Sequence, residues 1–181
     1  MHKAITTKQF LTNKEYFHLI GRPAQQTWAD FMCWEYFFHE AEFKQFIELG
    51  SGNGTMSSYY SIMSERIGFE FKTFDIKIPK YFEGPQFYAM DVFMSKDIVA
   101  DQFNHPMCLF CDDGDKPREI KTFLPYLQHG DYMVIHDYGR EVSLKSVPKT
   151  VNDCNVVPYM LPLVEELGST LRFFHIINKK I

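Results

Sequence analysis

The chain of 181 residues is expected to fold as one α/β domain: a doubly wound, mostly parallel sheet of about six or seven strands between two helix layers, a three-layer sandwich. Three observations carry that expectation. Short apolar runs alternate with longer stretches of helical spacing, the pattern of successive strand-helix units. The run Phe46-Ile47-Glu48-Leu49 leads into Gly50-Ser51-Gly52-Asn53-Gly54-Thr55, a glycine-rich turn between a strand and a helix. Acidic residues then recur where apolar runs stop, at Asp75, Asp91, Asp112 to Asp115 and Asp137, and the carboxyl ends of strands are where open α/β sheets bind ligands.

The glycine turn organises the rest. Glycine permits positive φ and lets another group approach the backbone without a Cβ in the way, so three on alternate positions imply a turn built for close contact. A dinucleotide site would read G-x-G-x-x-G, with a pyrophosphate on the helix N-terminus. Here Thr55 takes the third-glycine place and Glu48 stands just ahead of the turn. A carboxylate there repels a pyrophosphate and suits a ligand with a cationic centre and an amino group, which points to S-adenosylmethionine and away from a nicotinamide oxidoreductase. The pattern E-x-G-x-G-x-G resembles motif I of the class I, Rossmann-like methyltransferases, in which the acidic residue and glycines surround the methionine part of the cofactor.

In chain order, residues 1–40 form a helical lead-in or cap and residues 41–181 the cofactor-binding domain. Gly21-Arg22-Pro23 reads as a helix stop and loop, and residues 27–38, free of Gly and Pro, as a mostly buried helix. After the glycine turn and its helix, a second strand over 69–74 ends at Asp75, about 20 residues on, where Rossmann-like sites place a carboxylate on the ribose hydroxyls. A third strand over 87–90 ends at Asp91, which the methyltransferase resemblance implies as an adenine contact. A helix over 95–103, with Ile98 and Val99 inward, leads to a fourth strand over 107–111. That strand opens onto Asp112-Asp113-Gly114-Asp115, where clustered carboxylates call for a hard divalent cation, or form a solvated acidic turn in which an aspartate caps the next helix. A helix over 116–127 and a fifth strand over 132–135 bring the chain to His136-Asp137, beside that cluster. Residues 147–152 read as helical, 159–167 as a helix carrying Pro162 or as a hairpin arm, and 171–177 as a final strand.

Composition bounds the partners. The net charge is -4 without a run of Lys or Arg, so neither nucleic acid nor an anionic membrane is suggested. A small molecule fits better. No apolar stretch of spanning length and no signal-peptide pattern appears, which favours the cytoplasm. Cys33, Cys108, Cys111 and Cys154 are too scattered for a disulfide framework and read as buried thiols. The 18 Phe and 10 Tyr are expected to fill the core and line the pocket. A homodimer is compatible with the sequence, which does not fix the oligomeric state.

The resemblance extends beyond the glycine turn. Gly21-Arg22-Pro23-Ala24-Gln25-Gln26-Thr27-Trp28-Ala29-Asp30, Asp113-Gly114-Asp115-Lys116-Pro117-Arg118-Glu119 and Gly130-Asp131-Tyr132-Met133-Val134-Ile135-His136-Asp137-Tyr138 together resemble the cephalosporin hydroxylase-like and macrocin O-methyltransferase-like families, over roughly residues 20–150. Those families imply an S-adenosylmethionine-dependent, magnesium-requiring O-methyltransferase of sugars and other natural-product hydroxyls. Position by position, the resemblance implies metal ligands at Asp113, His136 and Asp137. His136 stands where a carboxylate is expected, which allows manganese as well as magnesium, or an imidazole acting as base without a metal. The expected site is therefore Glu48, Gly50, Ser51, Gly52, Asp75, Asp91 and Asp112 around the cofactor, with His136 and Asp113 catalytic. The alternative is a methyltransferase-fold protein that binds S-adenosylmethionine or its demethylated product without catalysis.

Overall fold

The computed structural model of the chain describes residues 5–179. Residues 1–4 of the expected lead-in lie outside them. In chain order the elements are helix α1 (Thr7–Thr12), strands β1 (His18–Leu19) and β2 (Arg22–Pro23), α2 (Trp28–Glu40), β3 (Gln45–Leu49), α3 (Thr55–Ile67), β4 (Glu70–Asp75) and β5 (Phe87–Ala89). They continue with α4 (Lys96–Ala100), β6 (Met107–Cys111), α5 (Lys116–Phe123), β7 (Tyr132–Ile135), β8 (Thr150–Val151), β9 (Cys154–Tyr159), α6 (Leu161–Leu167) and β10 (Arg172–Asn178).

Eight of the strands form one sheet in the order β5-β4-β3-β6-β7-β10-β9-β8, and β1 and β2 form a separate hairpin. Neighbours from β5 to β7 are parallel, whereas β10 runs antiparallel to both β7 and β9, and β8 antiparallel to β9. The chain winds outward from β3 through β4 to β5, then returns to β6 on the other side of β3. The order reverses between β3 and β6, and in doubly wound sheets the ligand crevice opens at that reversal. Leu49 pairs with Cys111 at the carboxyl ends of these two strands, so Gly50 and Asp112 emerge side by side.

Strands buried on both faces read as unbroken apolar runs. All five residues of β3 and of β6, and all four of β7, are buried. The two faces carry different cores. Under α2, α3 and α6 the core is aromatic: the Trp34 ring meets Phe37, Phe38, Phe46, Tyr60, Phe110 and Phe173. Under α4 and α5 it is mainly aliphatic, with Ile47, Leu49, Leu109, Ile120 and Ile135. The aromatics fill the core, but none lines the cleft at the strand ends, so the expected aromatic pocket lining is not found among the described residues. All four cysteines are free and buried.

Several local expectations need correction. Gly21 does not stop a helix. Ile20 and Gly21 both have positive φ and join β1 to β2 as a two-residue hairpin turn, with Leu19 paired to Arg22, the geometry of primed turns. Residues 147–152 are not helical either. Asn152 and Asp153, again both at positive φ, turn β8 back into β9. The helix expected over 95–103 is confined to α4, where Val99 is buried but Ile98, expected to face inward beside it, is 57% exposed. The helix expected to Leu127 gives way to a 3₁₀ turn over Leu124–Tyr126. Both readings of 159–167 apply in part: β9 is the hairpin arm through Tyr159, and α6 follows with Pro162 in its first turn, where a missing N–H is harmless.

Candidate functional site

The cleft at the carboxyl ends of β3, β4, β6 and β7 has two adjoining parts. One, of about 200 Å³, is lined by Lys14, Gln25, Glu48, Gly50 to Asn53, Asp112, Lys116, His136 and Asp137 among others. The other is lined by Gly50, Gly52, Asp75, Ile76, Lys77, Asp112, Asp113 and Gly114. Three residues border both parts: Gly50, Gly52 and Asp112. Backbone bonds weld this floor together, from the Gly50 amide to the Phe74 carbonyl (2.8 Å), the Asp112 amide to the Leu49 carbonyl (2.9 Å) and the His136 amide to the Cys111 carbonyl (3.2 Å).

Gly50 has φ +93, and a Cβ on it would lie 2.5 Å from the Asp112 carbonyl oxygen and 2.7 Å from the Asp113 Cα. Only glycine allows the two strand ends to approach so closely. A Cβ on Gly52 would strike the Gln25 carboxamide, whose Oε1 accepts from the Asn53 amide at 2.9 Å. The Asn53 side chain donates to the Pro23 carbonyl at 2.8 Å and the Thr55 hydroxyl to the same oxygen at 3.0 Å. The β1–β2 hairpin thereby forms a wall against the glycine turn.

Glu48 is buried at the cleft floor. Its Oε2 accepts from the Ser57 hydroxyl at 2.5 Å and the Thr73 hydroxyl at 2.6 Å. Burial pushes its carboxyl up to about 8; the two hydroxyl bonds oppose the rise, and nearby Asp112 and Asp75 add to it. A cationic ligand group would relieve that burial. Asp75 Oδ2 accepts from the Gly52 amide at 3.0 Å and Oδ1 from the Lys77 amide at 2.9 Å, which fixes its carboxylate beside the glycine turn. Ser51 bonds Thr73 at 2.6 Å. Asp91 is exposed, and its Oδ1 accepts from the Phe93 and Met94 amides; it does not line the cleft, so the structure keeps it apart from the other expected cofactor residues.

At the far end stand two carboxylates and an imidazole. Asp112, His136 and Asp137 each offer a ligand atom, all within 4.8 Å of one another. His136 Nδ1 lies 2.8 Å from Asp112 Oδ1 and 3.7 Å from Asp137 Oδ2. Of the expected metal set, His136 and Asp137 are gathered here with Asp112 and not with Asp113. Asp113 lines the other part of the cleft, where burial first, then repulsion from Asp75 and Asp91, raises its carboxyl to about 6.

Burial opposes a charge on His136, which is 2% exposed, but Asp112, Asp30 and Asp137 outweigh it and the imidazole pKa is raised. Burial also opposes the charge on Asp137, yet His136, Lys14 and Lys116 hold its pKa below the usual value. Asp137 sits at φ +50, an uncommon conformation for a non-glycine residue that recurs at functional sites.

Sequence reasoning passed over Lys14, Asp30, Lys116 and Glu119. Lys14 Nζ reaches Asp137 Oδ1 at 3.5 Å. Buried Lys116 reaches Asp112 Oδ1 at 3.4 Å and Glu141 Oε2 at 3.2 Å. Asp30, fully buried on α2, approaches His136 Nε2 from behind at 3.9 Å. Glu119 is buried with neither oxygen hydrogen bonded, and burial raises its carboxyl to about 8. A lysine four residues after Asp112, at the first position of α5, was the available signal for Lys116. Nothing local marks Lys14 or Asp30 as neighbours of residue 136.

Comparison with known proteins places the fold. A structure of CmcI with SAH superposes with a TM-score of 0.61 at 15% identity, over 87% of this chain and 81% of that one. A CmcI structure with Mg and SAM gives 0.52 at 14% identity, over 67% of this chain and 57% of that one. MycE methyltransferase from the mycinamycin biosynthetic pathway, in complex with Mg and SAH, gives 0.52 at 13% identity, over 86% of this chain and 51% of that one. The fold is the one these proteins share. It is the α/β, Rossmann-like architecture expected from the glycine turn, and MycE is a methyltransferase, the class that the sequence resembles. Identities this low establish the architecture, and chemistry has to be argued from the site. No protein-family model matches the chain, and no curated protein matches its sequence. No helix among the described residues is long and apolar enough to cross a membrane.

Proposed function

We propose that the protein transfers a methyl group from S-adenosylmethionine to a hydroxyl oxygen of a small polar molecule, such as a sugar. The observation that carries this reading is the two-ended cleft at the strand-order reversal. Glu48, the glycine turn, Asp112, His136 and Asp137 line one part, Asp75 and Asp113 line the other, and Gly50, Gly52 and Asp112 border both. Glu48, Gly50, Ser51 and Gly52 would receive the methionine end of the cofactor and Asp75 the ribose. Asp91 would need to leave its own turn to reach the adenine.

Methyl transfer is an in-line displacement. The sulfur-carbon bond breaks as the carbon-oxygen bond forms, the sulfonium becomes a neutral thioether, and the acceptor hydroxyl loses its proton. The protein's task is to hold the two reactants in line and to receive that proton from the acceptor. Asp112, His136 and Asp137 would be the groups to receive it. The same three residues fit a divalent cation: their donor atoms converge, and the imidazole faces the two carboxylates through Nδ1. Two carboxylates with one imidazole suit manganese at least as well as magnesium. Such an ion, when bound, would supply Lewis acidity at the acceptor hydroxyl.

A second reading, cofactor binding without transfer, is favoured by the lysines, because Lys14 and Lys116 already neutralise Asp137 and Asp112. Incubation with methyl-labelled S-adenosylmethionine and a panel of small polyhydroxylated acceptors, with EDTA, magnesium or manganese, separates the two. Label in an acceptor, with release of the demethylated cofactor, supports the transferase. A protein that binds the cofactor but labels nothing under any condition supports the binder.

A further inference from the structure

We infer that Asp30 is the positioning residue for His136, holding a proton on Nε2 so that Nδ1 is the nitrogen presented to the acceptor end of the cleft. The inference rests on the reading of His136 as a working residue of that site.

His136 Nε2 is completely buried and has no hydrogen-bond partner. An imidazole nitrogen in that position is costly unless something faces it. What faces it is the Asp30 carboxylate, whose Oδ2 lies 3.9 Å away. Asp30 is itself 0% exposed and held from two sides. The Thr27 amide and hydroxyl donate to Oδ2 at 2.9 and 2.7 Å, and the Ser169 hydroxyl and Thr170 amide donate to Oδ1 at 2.6 and 2.9 Å. Every one of these neighbours donates, so the carboxylate is fixed as an acceptor and faces Nε2 as one.

The other nitrogen hydrogen bonds Asp112 Oδ1 at 2.8 Å and faces Asp137; with a carboxylate on each side both ring nitrogens carry a proton, and the one on Nδ1 is the one a ligand in the cleft would displace. The imidazole thus lies between a rigid interior carboxylate and an open acidic pair. An interior carboxylate behind a site imidazole fixes its tautomer and orientation, and where the imidazole binds a metal it strengthens it as a ligand. Through these bonds Asp30 joins the start of α2 to the turn before β10, and it faces the residue that follows β7.

The test combines nitrogen-15 NMR of the His136 ring with manganese binding followed by electron paramagnetic resonance, in wild type, Asp30→Asn and Thr27→Ala. In wild type a slowly exchanging Nε2 proton is expected both without metal and with magnesium. Asp30→Asn should lose that protected proton and lower manganese affinity about 10- to 100-fold. Its affinity for the demethylated cofactor, measured by calorimetry, should stay within about twofold, as expected for a residue that acts only through His136. Thr27, which caps the N-terminus of α2 with its hydroxyl on the Asp30 amide, gives the control: Thr27→Ala disturbs that cap but keeps the carboxylate and the residue 27 amide that bonds it, and should leave the His136 signals at their wild-type positions. An unprotonated Nε2 in wild type, or an Asp30→Asn protein with wild-type His136 signals, overturns the inference. If wild type binds no manganese, the ring signals alone decide it. If wild type binds no cofactor, the proposed function fails while the ring signals still decide the role of Asp30.

Discussion

Gly50→Ala tests the geometry of the cleft at its narrowest point. The new Cβ would stand 2.5 Å from the Asp112 carbonyl oxygen and 2.6 Å from its carbon. Ordinary contact begins near 3.4 Å, so the Asp112 backbone would have to retreat by roughly 0.9 Å, in a close-packed setting that resists such shifts. The left-handed conformation at φ +93 costs an L-residue about 1–2 kcal/mol, and the overlap adds about 1–3 kcal/mol. At about 2–4 °C per kcal/mol for a domain of this size, the melting temperature should fall by about 4–20 °C. Gly68 is the control: its φ is +95, but nothing lies within 4 Å of a Cβ there, so Gly68→Ala incurs the conformational cost alone, about 2–8 °C. The Asp112 displacement should also lower methyl transfer by about 100-fold, as misplacements near 1 Å can. Thermal unfolding by circular dichroism and turnover with labelled cofactor measure the two effects. If Gly50→Ala unfolds at the same temperature as Gly68→Ala and keeps full activity, the close approach of the two strand ends is not what the glycine serves.

Further predictions follow from the electrostatics and the core. Glu119 keeps its proton up to about 8 in the folded protein but releases it near about 4.3 when unfolded. Stability should therefore fall as pH rises from about 5 to about 8, and Glu119→Gln should flatten that slope; an unchanged melting-temperature profile would refute the protonated state. Glu48, raised in the same direction, leaves a residual slope in that variant. Asp112→Ala should weaken manganese binding at least about 10-fold and Asp113→Ala much less, the reverse of the order expected from the family resemblance; titration of both variants decides it. Lys14→Ala, which removes the ammonium 3.5 Å from Asp137, should change stability by no more than about 1 kcal/mol yet tighten manganese binding, and an unchanged affinity would mean that the lysine does not compete for the carboxylate. Trp34→Ala should cost about 3–5 kcal/mol in chemical unfolding, given the six aromatic rings around it.

Much of the fold was legible because burial writes itself into composition. Strands β6 and β7 are unbroken apolar runs, β3 is apolar apart from Gln45 and Glu48, and the glycine turn between β3 and α3 is specific enough to mark a strand end that faces a ligand. Two hairpins were missed for one reason. Ile20-Gly21 and Asn152-Asp153 are two-residue turns at positive φ; Asn-Asp between short β-prone runs was a readable sign of the second, while Ile20 at φ +52 follows no local preference. At the site, the strand-end residues could be read because each follows its strand directly. The choice between Asp112 and Asp113 could not be, since it depends on which way a strand end twists. Lys14 and Asp30 were invisible for a different reason: they are separated from Asp137 and His136 by more than a hundred residues, and only the folded chain brings them there.

Calorimetric titration of S-adenosylmethionine into wild type and Gly52→Val tests the central claim most directly. The valine would collide with Gln25 at the cleft wall and fill the space beside Asp75. One-to-one binding by wild type, lost in Gly52→Val while the fold is retained, is the predicted result. No binding by folded wild-type protein, with or without manganese, would contradict the assignment of the cleft to this cofactor and the methyl-transfer chemistry built on it.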